Sequence, residues 1–342
     1  MIQLPPLNRR QVLKLLAATG GIGGMGALPT RALAQRTEQV VLYTTLNAQS
    51  VETASDIARE LLPHIKPSTV AGGSSQLLKR IEAEAGQPKG DLFWTSSANV
   101  MHGYRTLFEP YRSAQTAAIP HALHGPDDLW MAANLHIVVG MINTRHLPGA
   151  APTTWADLTD RRFKGKIIIG DPGNSSTAFT ALWGIERVLG TEGLRALARN
   201  TSVSGAASHV VRSVGQGEYA VGITFESTAY PYVAGGQKEI GIMYPADGTF
   251  TVADNMAMVK NAPNPEAAKR MYDLLLSREM QLALLQNAFR RPSRTDIDVS
   301  KHLDMPPLAD IKIVPVDEAE AAAGREAFLA RWRAYLAEAR SA

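Results

Sequence analysis

The chain reads as an α/β protein of two domains, each a largely parallel sheet with helices on its faces. Three observations predict this. From Gln39 to Trp94, strand-like and helix-like segments alternate as βαβαβ, a pattern that puts the strands parallel and the helices outside. Further on, the apolar run Lys166-Ile167-Ile168-Ile169 passes through a Gly/Pro/Asn/Ser turn into the helix-periodic segment 178–189, so the same unit recurs. The length, 342 residues with 45% hydrophobic and 20% charged residues, is that of an ordinary globular protein with room for about two domains.

Residues 1–34 stand apart from this pattern. Asn8-Arg9-Arg10-Gln11-Val12-Leu13-Lys14 is a twin-arginine element, a Gly-rich apolar run follows, and Ala32-Leu33-Ala34 precedes Gln35 as a cleavage site. This is the pattern of a Tat export signal, cleaved after Ala34. The apolar run is short and broken by five glycines between Gly20 and Gly26, which argues against a retained anchor. The segment carries four cations and no acid, so its removal takes the formal charge from +3 to −1. No generic affinity for nucleic acid follows from that balance. The absence of cysteine excludes disulfides, thiolate metal sites and a cysteine nucleophile, and suits an oxidising compartment.

The elements follow in order. The β-branched and aromatic run 39–45 is a strand. It ends in Thr44-Thr45-Leu46-Asn47, and a helix opens near Ser50. A second strand near 65–71 ends in Gly72-Gly73-Ser74-Ser75, and a third, 91–94, ends in Thr95-Ser96-Ser97. The long strand-like segment 130–143 reads as a crossing between domains, and 252–260 as a return. Segment 218–224 is a strand ending in Phe225-Glu226-Ser227-Thr228, preceded by a helix opening at Ser208-His209. Pro at the first position and an acid in the first turn define the helix at Asn264-Pro265-Glu266. Segment 318–339 is a surface or closing helix.

Each strand thus ends in a Ser/Thr/Asn cluster just before a helix. In open α/β sheets ligands sit beyond the carboxyl ends of strands. The sharpest case is Gly170-Asp171-Pro172-Gly173-Asn174-Ser175-Ser176-Thr177, where hydroxyls and helix-start N–H groups suit a tetrahedral oxyanion. The same residues also serve as ordinary N-caps, and local pattern leaves both roles open. His136 lies in an apolar strand and reads as a packed core histidine. Asp254-Asn255 suits a turn or a ligand hydrogen bond, and Arg290-Arg291 a solvated pair or a docking feature.

Several stretches together carry a family resemblance: Val40-Val41-Leu42-Tyr43-Thr44; Ser74-Ser75-Gln76-Leu77 ahead of Asp91-Leu92-Phe93-Trp94-Thr95; Thr154-Trp155-Ala156-Asp157-Leu158; Gly170-Asp171-Pro172 with Ser175-Ser176-Thr177; Gly217-Glu218-Tyr219-Ala220-Val221-Gly222; and Asn264-Pro265-Glu266-Ala267-Ala268-Lys269. With the export signal, the set resembles the periplasmic solute-binding proteins of ABC importers, in the branch of ferric-iron, phosphosugar and aminoethylphosphonate binders. The resemblance implies a type II periplasmic-binding-protein fold. One lobe is expected over 36–135, with 246–342 returning to it, and the other over 136–245. It implies a monomeric periplasmic protein that captures a small anionic solute for a membrane permease, with no catalysis, no cofactor and no resident metal.

On that basis the expected ligand-binding residues are Thr44, Thr45, Asn47, Ser74, Ser75 and Ser96 from the first lobe. Ser175, Ser176, Thr177, Ser208, His209 and Glu226 are expected from the second, with His209 and Glu226 matching the positions that contact ligand hydroxyls in phosphosugar-type members. Iron binders present adjacent tyrosines after the strand at 219–224. Here that position reads Phe225-Glu226-Ser227, and Tyr230 and Tyr232 are neither adjacent nor in place. Loss of phenolate counts against Fe(III), although an O/N site from Glu226, His209 and Tyr230 or Tyr232 stays open as the alternative. A secreted hydrolase is the third reading. It lacks a Gly-x-Ser-x-Gly elbow, a His-Glu-x-x-His and a phosphate-binding Gly-x-x-x-x-Gly-Lys.

Overall fold

The computed structural model describes residues 37–94 and 97–341. The expected export signal over 1–34, and Ser96, lie outside the described residues. The chain opens with β1 (Glu38–Thr44), α1 (Ala48–Leu61), β2 (Ile65–Ala71), α2 (Ser74–Ala83), β3 (Leu92–Trp94) and a short α3 (Ala98–Met101). The first three strands pair in parallel, with β1 central between β2 and β3. The alternating pattern of the first hundred residues therefore folds as it reads.

After β4 (Phe108–Glu109), the 13-residue β5 (Met131–Asn143) is buried along its whole length. A strand covered on both faces needs a nearly continuous apolar run, and this one supplies it with Asn134, His136 and Asn143 as its polar exceptions. Its first half pairs antiparallel with β10 (Thr251–Val259), through Ile137, and with β11 (Arg291–Pro292). Its second half, from Val138, pairs antiparallel with β8 (Val221–Phe225) and β9 (Ile240–Met243). Beyond β8 lie β6 (Ile167–Gly170) and β7 (Thr201–Ser204), parallel to one another. Among the described residues the order is β2-β1-β3-β10-β5-β8-β6-β7.

Two large apolar clusters flank this line. One joins Val40, Leu42, Trp94 and Met256 to α7 (Pro265–Leu275) and α8 (Arg278–Ala288) through Met271, Leu275 and Leu284. The other joins Ile167, Ile169 and Val221 to α4 (Ser176–Asn200) through Phe179, Leu182 and Ile185. Within α4, Gly190 takes a left-handed φ of 70° that breaks the helix, as only glycine does at little cost. The remaining helices are α5 (Ala207–Gly215), α6 (Glu226–Ala234) and α9 (Glu318–Ser341).

The last helix corrects one expectation. Residues 246–342 do not return as a block to the first half, because α9 packs along α4. Phe328, Leu329, Trp332 and Tyr335 form a stripe at helical spacing that enters the second cluster against Phe179 and Trp183. Truncating a residue buried there leaves a cavity in that core. Trp332→Ala should lower the unfolding free energy by about 3–5 kcal/mol, read from urea unfolding midpoints. A loss below about 1 kcal/mol would show that α9 is not part of the core.

Candidate binding cleft

The carboxyl ends of the strands from both halves open on one cleft, a cavity of about 1090 Å³. From the first half come Thr45, Leu46 and Asn47, which follow β1, and the stretch Gly72 to Gln76, which follows β2. From the second come Gly173, Asn174, Ser175, Thr177 and Phe179 at the start of α4, Gly205 and Ser208 before and within α5, and Thr224, Phe225, Ser227 and Thr228 around the start of α6. Thr45, Asn47, Ser74, Ser75, Ser175, Thr177 and Ser208 therefore share one wall system, and Ser176 opens helix α4 beside them.

These residues act as caps and as lining at once, and the two roles use different atoms. Asn47 Oδ1 accepts from the Ser50 N–H at 3.0 Å and the Ser50 hydroxyl at 2.7 Å. Ser175 Oγ accepts from Ala178 N–H at 3.2 Å. Capping consumes acceptor capacity, so the Asn47 amide N–H pair and the Ser175 O–H stay on the donor side. Asp171 closes the turn before α4 by accepting from Gly173 N–H at 2.8 Å and Asn174 Nδ2 at 3.0 Å, an Asx-turn.

Three expected ligand contacts are not in the cleft. Thr44 is fully buried, and its hydroxyl accepts from Leu46 N–H at 3.1 Å, which shapes the turn after β1. His209 is half-exposed and lies between Ser204 Oγ at 3.2 Å and Ser213 Oγ at 3.1 Å, tied to its own helix. Glu226 is 1% exposed and bound bidentate by Arg291, Nε to Oε2 at 2.6 Å and Nη2 to Oε1 at 2.7 Å, with the Tyr244 hydroxyl also donating to it. A buried carboxylate needs that compensation, and the arginine 65 positions away supplies it. Burial and the adjacent Glu226 push the Tyr244 phenol well above its ordinary pKa.

The cleft floor is instead made by residues that local pattern assigned elsewhere. Arg290 and Arg291 are neither solvated nor presented for docking; both are buried. Arg290 lines the cleft, donates from Nη1 to Asp254 Oδ2 at 2.7 Å and from Nε to Ser50 Oγ at 2.8 Å. His136 also lines the cleft, stacked on Phe225 at 4.6 Å between centroids. Its Nδ1 lies 3.1 Å from Ser227 Oγ and its Nε2 3.2 Å from Asp254 Oδ2. Asp254 sits where the β10–β5 register shifts. Burial alone would raise its pKa, but His136 and Arg290 outweigh burial and hold the carboxyl below its ordinary range. A second arginine, Arg325 of α9, enters from the side. No pattern short of the packed helix marks it as a cleft residue.

Neither tyrosine of the iron alternative lines the cleft. Tyr230 is buried against Phe289 at 5.1 Å, and Tyr232 packs against Gly215. Among the described residues no tyrosine is part of the lining, and no three His, Asp or Glu side chains group to hold a metal.

Because the Asp254 pKa is depressed in the folded protein, the unfolded chain takes up that proton first on acidification. The stabilisation by its pairing is complete above the ordinary carboxylate pKa, about 3.9, and is lost as pH falls through the lower folded value. Asp254→Asn, which leaves Arg290 buried without its carboxylate, should cost about 3–5 kcal/mol at neutral pH. The gap to the wild-type protein should narrow as pH falls towards 3. Urea midpoints that stay equally separated over that range would contradict this account.

A family model described as bacterial extracellular solute-binding protein matches residues 90–322. The iron uptake protein A1 of Synechocystis is 24% identical over 259 residues, covering 69% of this chain and 71% of that protein. Among solved structures, the fructose-6-phosphate-bound periplasmic binding protein AfuA of Actinobacillus pleuropneumoniae has a TM-score of 0.74 at 24% identity, covering 87% of this chain and 98% of the other. Iron-bound HitA of Pseudomonas aeruginosa also has a TM-score of 0.74, at 17% identity, covering 87% and 99%. The shared architecture is the two-lobed type II periplasmic-binding fold. With more than half of its length matched by the family model, the chain belongs to the bacterial extracellular solute-binding proteins.

Proposed function

We propose that this periplasmic binding protein of an ABC importer captures a small organic anion of the phosphate-ester or phosphonate type and delivers it to its permease, without chemical turnover. The observation that carries the reading is the division of donors and acceptors in the cleft. The capping residues spend their acceptors on helix starts and turn donors to the cavity, from both halves of the molecule. Asp254, the only carboxylate among the described lining residues, is held by Arg290 and His136. An oxyanion entering the cleft therefore meets hydroxyls, amides and guanidinium groups, with no bare carboxylate to repel it.

The relatives include both a phosphosugar-bound protein and iron-associated proteins. For this chain the donor-rich lining favours the organic anion, since Fe(III) requires hard anionic donors and among the described residues no phenolate is part of the lining. The second lobe holds the solute through Ser175, Thr177 and Ser208 with Ser227 and Thr228, in place of the expected pair His209 and Glu226. The two halves close on the solute by rotation about the crossings at β5 and β10. The protein acts as a monomer.

Calorimetry with a panel of sugar phosphates and phosphonates, and Fe(III)-citrate as the competitor reading, tests this. At least one phosphorylated compound should bind. Ser175→Ala should then lose a hydrogen bond to a charged group and a cap, weakening affinity about ten- to a hundred-fold. Binding of Fe(III) alone, with a visible absorption band, would replace the anion reading by the iron one. No release of product from bound phosphate esters should be detectable.

Export follows from the twin-arginine element. The mature protein should begin at Gln35 and be recovered from the periplasm, and replacing Arg9 and Arg10 by Lys should retain the precursor in the cytoplasm. Recovery of an envelope-bound protein that still carries Met1 would contradict this.

A further inference from the structure

The C-terminal helix α9 does more than close the second apolar cluster. It runs along α4 and also touches α3 of the first half, and two residues of it, Ala322 and Arg325, line the cleft, of which Arg325 alone is charged. The sequence prepares this placement. At Gly324 an added Cβ would come within 2.5 Å of the Trp183 ring, so glycine is what allows the helix to lie this close. One residue on, the Arg325 guanidinium stacks over Phe179 at 4.4 Å and donates from Nη2 to the Pro172 carbonyl at 3.1 Å. Partial burial lowers its pKa from the ordinary guanidinium value, yet it remains charged at any physiological pH.

Among the described residues Arg325 forms no ion pair with a carboxylate, whereas Arg290 is paired with Asp254. The charges of the cleft lining then sum simply. Of the lining side chains that carry a full charge at any physiological pH, Asp254 and Arg290 cancel and Arg325 remains as one full positive charge; His136 is engaged with Asp254 and Ser227. The start of α4 adds about half a charge beside it. A tetrahedral solute head of about −1.5 to −2, the charge of a phosphate monoester near pH 7, matches that surplus. A singly charged head of the same shape does not. A staple to Pro172 uses Nη2 alone, and the fork of the guanidinium keeps further N–H donors for a second oxygen atom.

We propose that Arg325, carried into the cleft by the C-terminal helix, selects the charge of the solute, favouring a doubly charged phosphate monoester or phosphonate over a singly charged tetrahedral anion of the same shape. The inference rests on the anion reading of the cleft and adds to it the charge class and the residue that reads it. Arg325 is thereby a specificity residue supplied by an element outside the strand-end loops.

The test uses isosteric pairs on the mature protein near pH 7.5: glucose-6-phosphate against glucose-6-sulfate, and 2-aminoethylphosphonate against taurine, by calorimetry and thermal shift. In any pair that binds, the wild-type protein should prefer the phosphorus compound at least about ten-fold. Arg325→Gln should weaken the phosphorus compound about ten- to a hundred-fold, change the sulfur analogue by no more than about three-fold, and so collapse the preference. Arg325→Lys, which keeps the charge and loses the fork, should retain most of the preference and checks that the site still assembles. A wild-type protein that binds a pair without preference, or an Arg325→Gln variant with the preference intact, would overturn the role of Arg325 while leaving the anion reading standing. Failure of the wild-type protein to bind any member would remove the anion reading and Arg325's role with it.

Discussion

Everything in this molecule is hung on one strand. Residues 131–143 are buried throughout, and the partner on the strand changes between Ile137 and Val138, from β10 to β8. A strand covered on both faces cannot slip by a residue without turning its apolar set and its polar exceptions to the wrong sides. The register therefore fixes where each half of the molecule lies on the other. It also sets His136 and Asn134 among the few polar side chains of that strand, at the level where β10 and β11 cross. Since the parallel strands of both halves present their carboxyl ends towards this line, their loops meet in a single cleft.

Around the crossing, charge is neutralised in pairs. Arg290 and Arg291 are consecutive, and alternation along the extended chain sends them to different partners. Arg290 goes to Asp254 at the register shift of β10, and Arg291 to Glu226 at the start of α6. Burying two ion pairs is not a free gain in stability, because desolvation offsets most of the Coulomb attraction. What the pairs do accomplish is local. Each removes a carboxylate from competition with an incoming anion, and each ties the segment after α8 to a distant element by directed hydrogen bonds, Arg290 to β10 and Arg291 to the start of α6.

The cleft lining shows how ordinary local structure becomes a binding surface. Asn47 and Ser175 were readable as helix caps or as ligand contacts, and the geometry makes these compatible. A cap spends an oxygen lone pair on a backbone N–H, and what remains on the same side chain is a donor. Repeating that device at the strand ends of both halves yields a donor-rich cavity without a dedicated charged cluster. The surplus charge enters separately, through Arg325 of α9.

The sequence by itself determined the α/β class, the order of strands and helices through the first half, the long strand at β5, and the Ser, Thr and Asn residues at the strand ends that precede helices. These are local properties: side-chain period, capping chemistry and turn residues act over a few positions. Only the tertiary structure decided the rest. Glu226 had the chemistry of a ligand contact and His209 the right position in order, yet Glu226 is claimed by an arginine 65 residues away and His209 by two serines of its own neighbourhood. His136 read as core and reaches the floor of the cleft; Arg290 read as surface and is buried there; Arg325 sat unremarked in a closing helix. A charged or polar side chain takes its role from the partner that compensates its desolvation. That partner is set by where distant segments pack, a relation that no local period or spacing records.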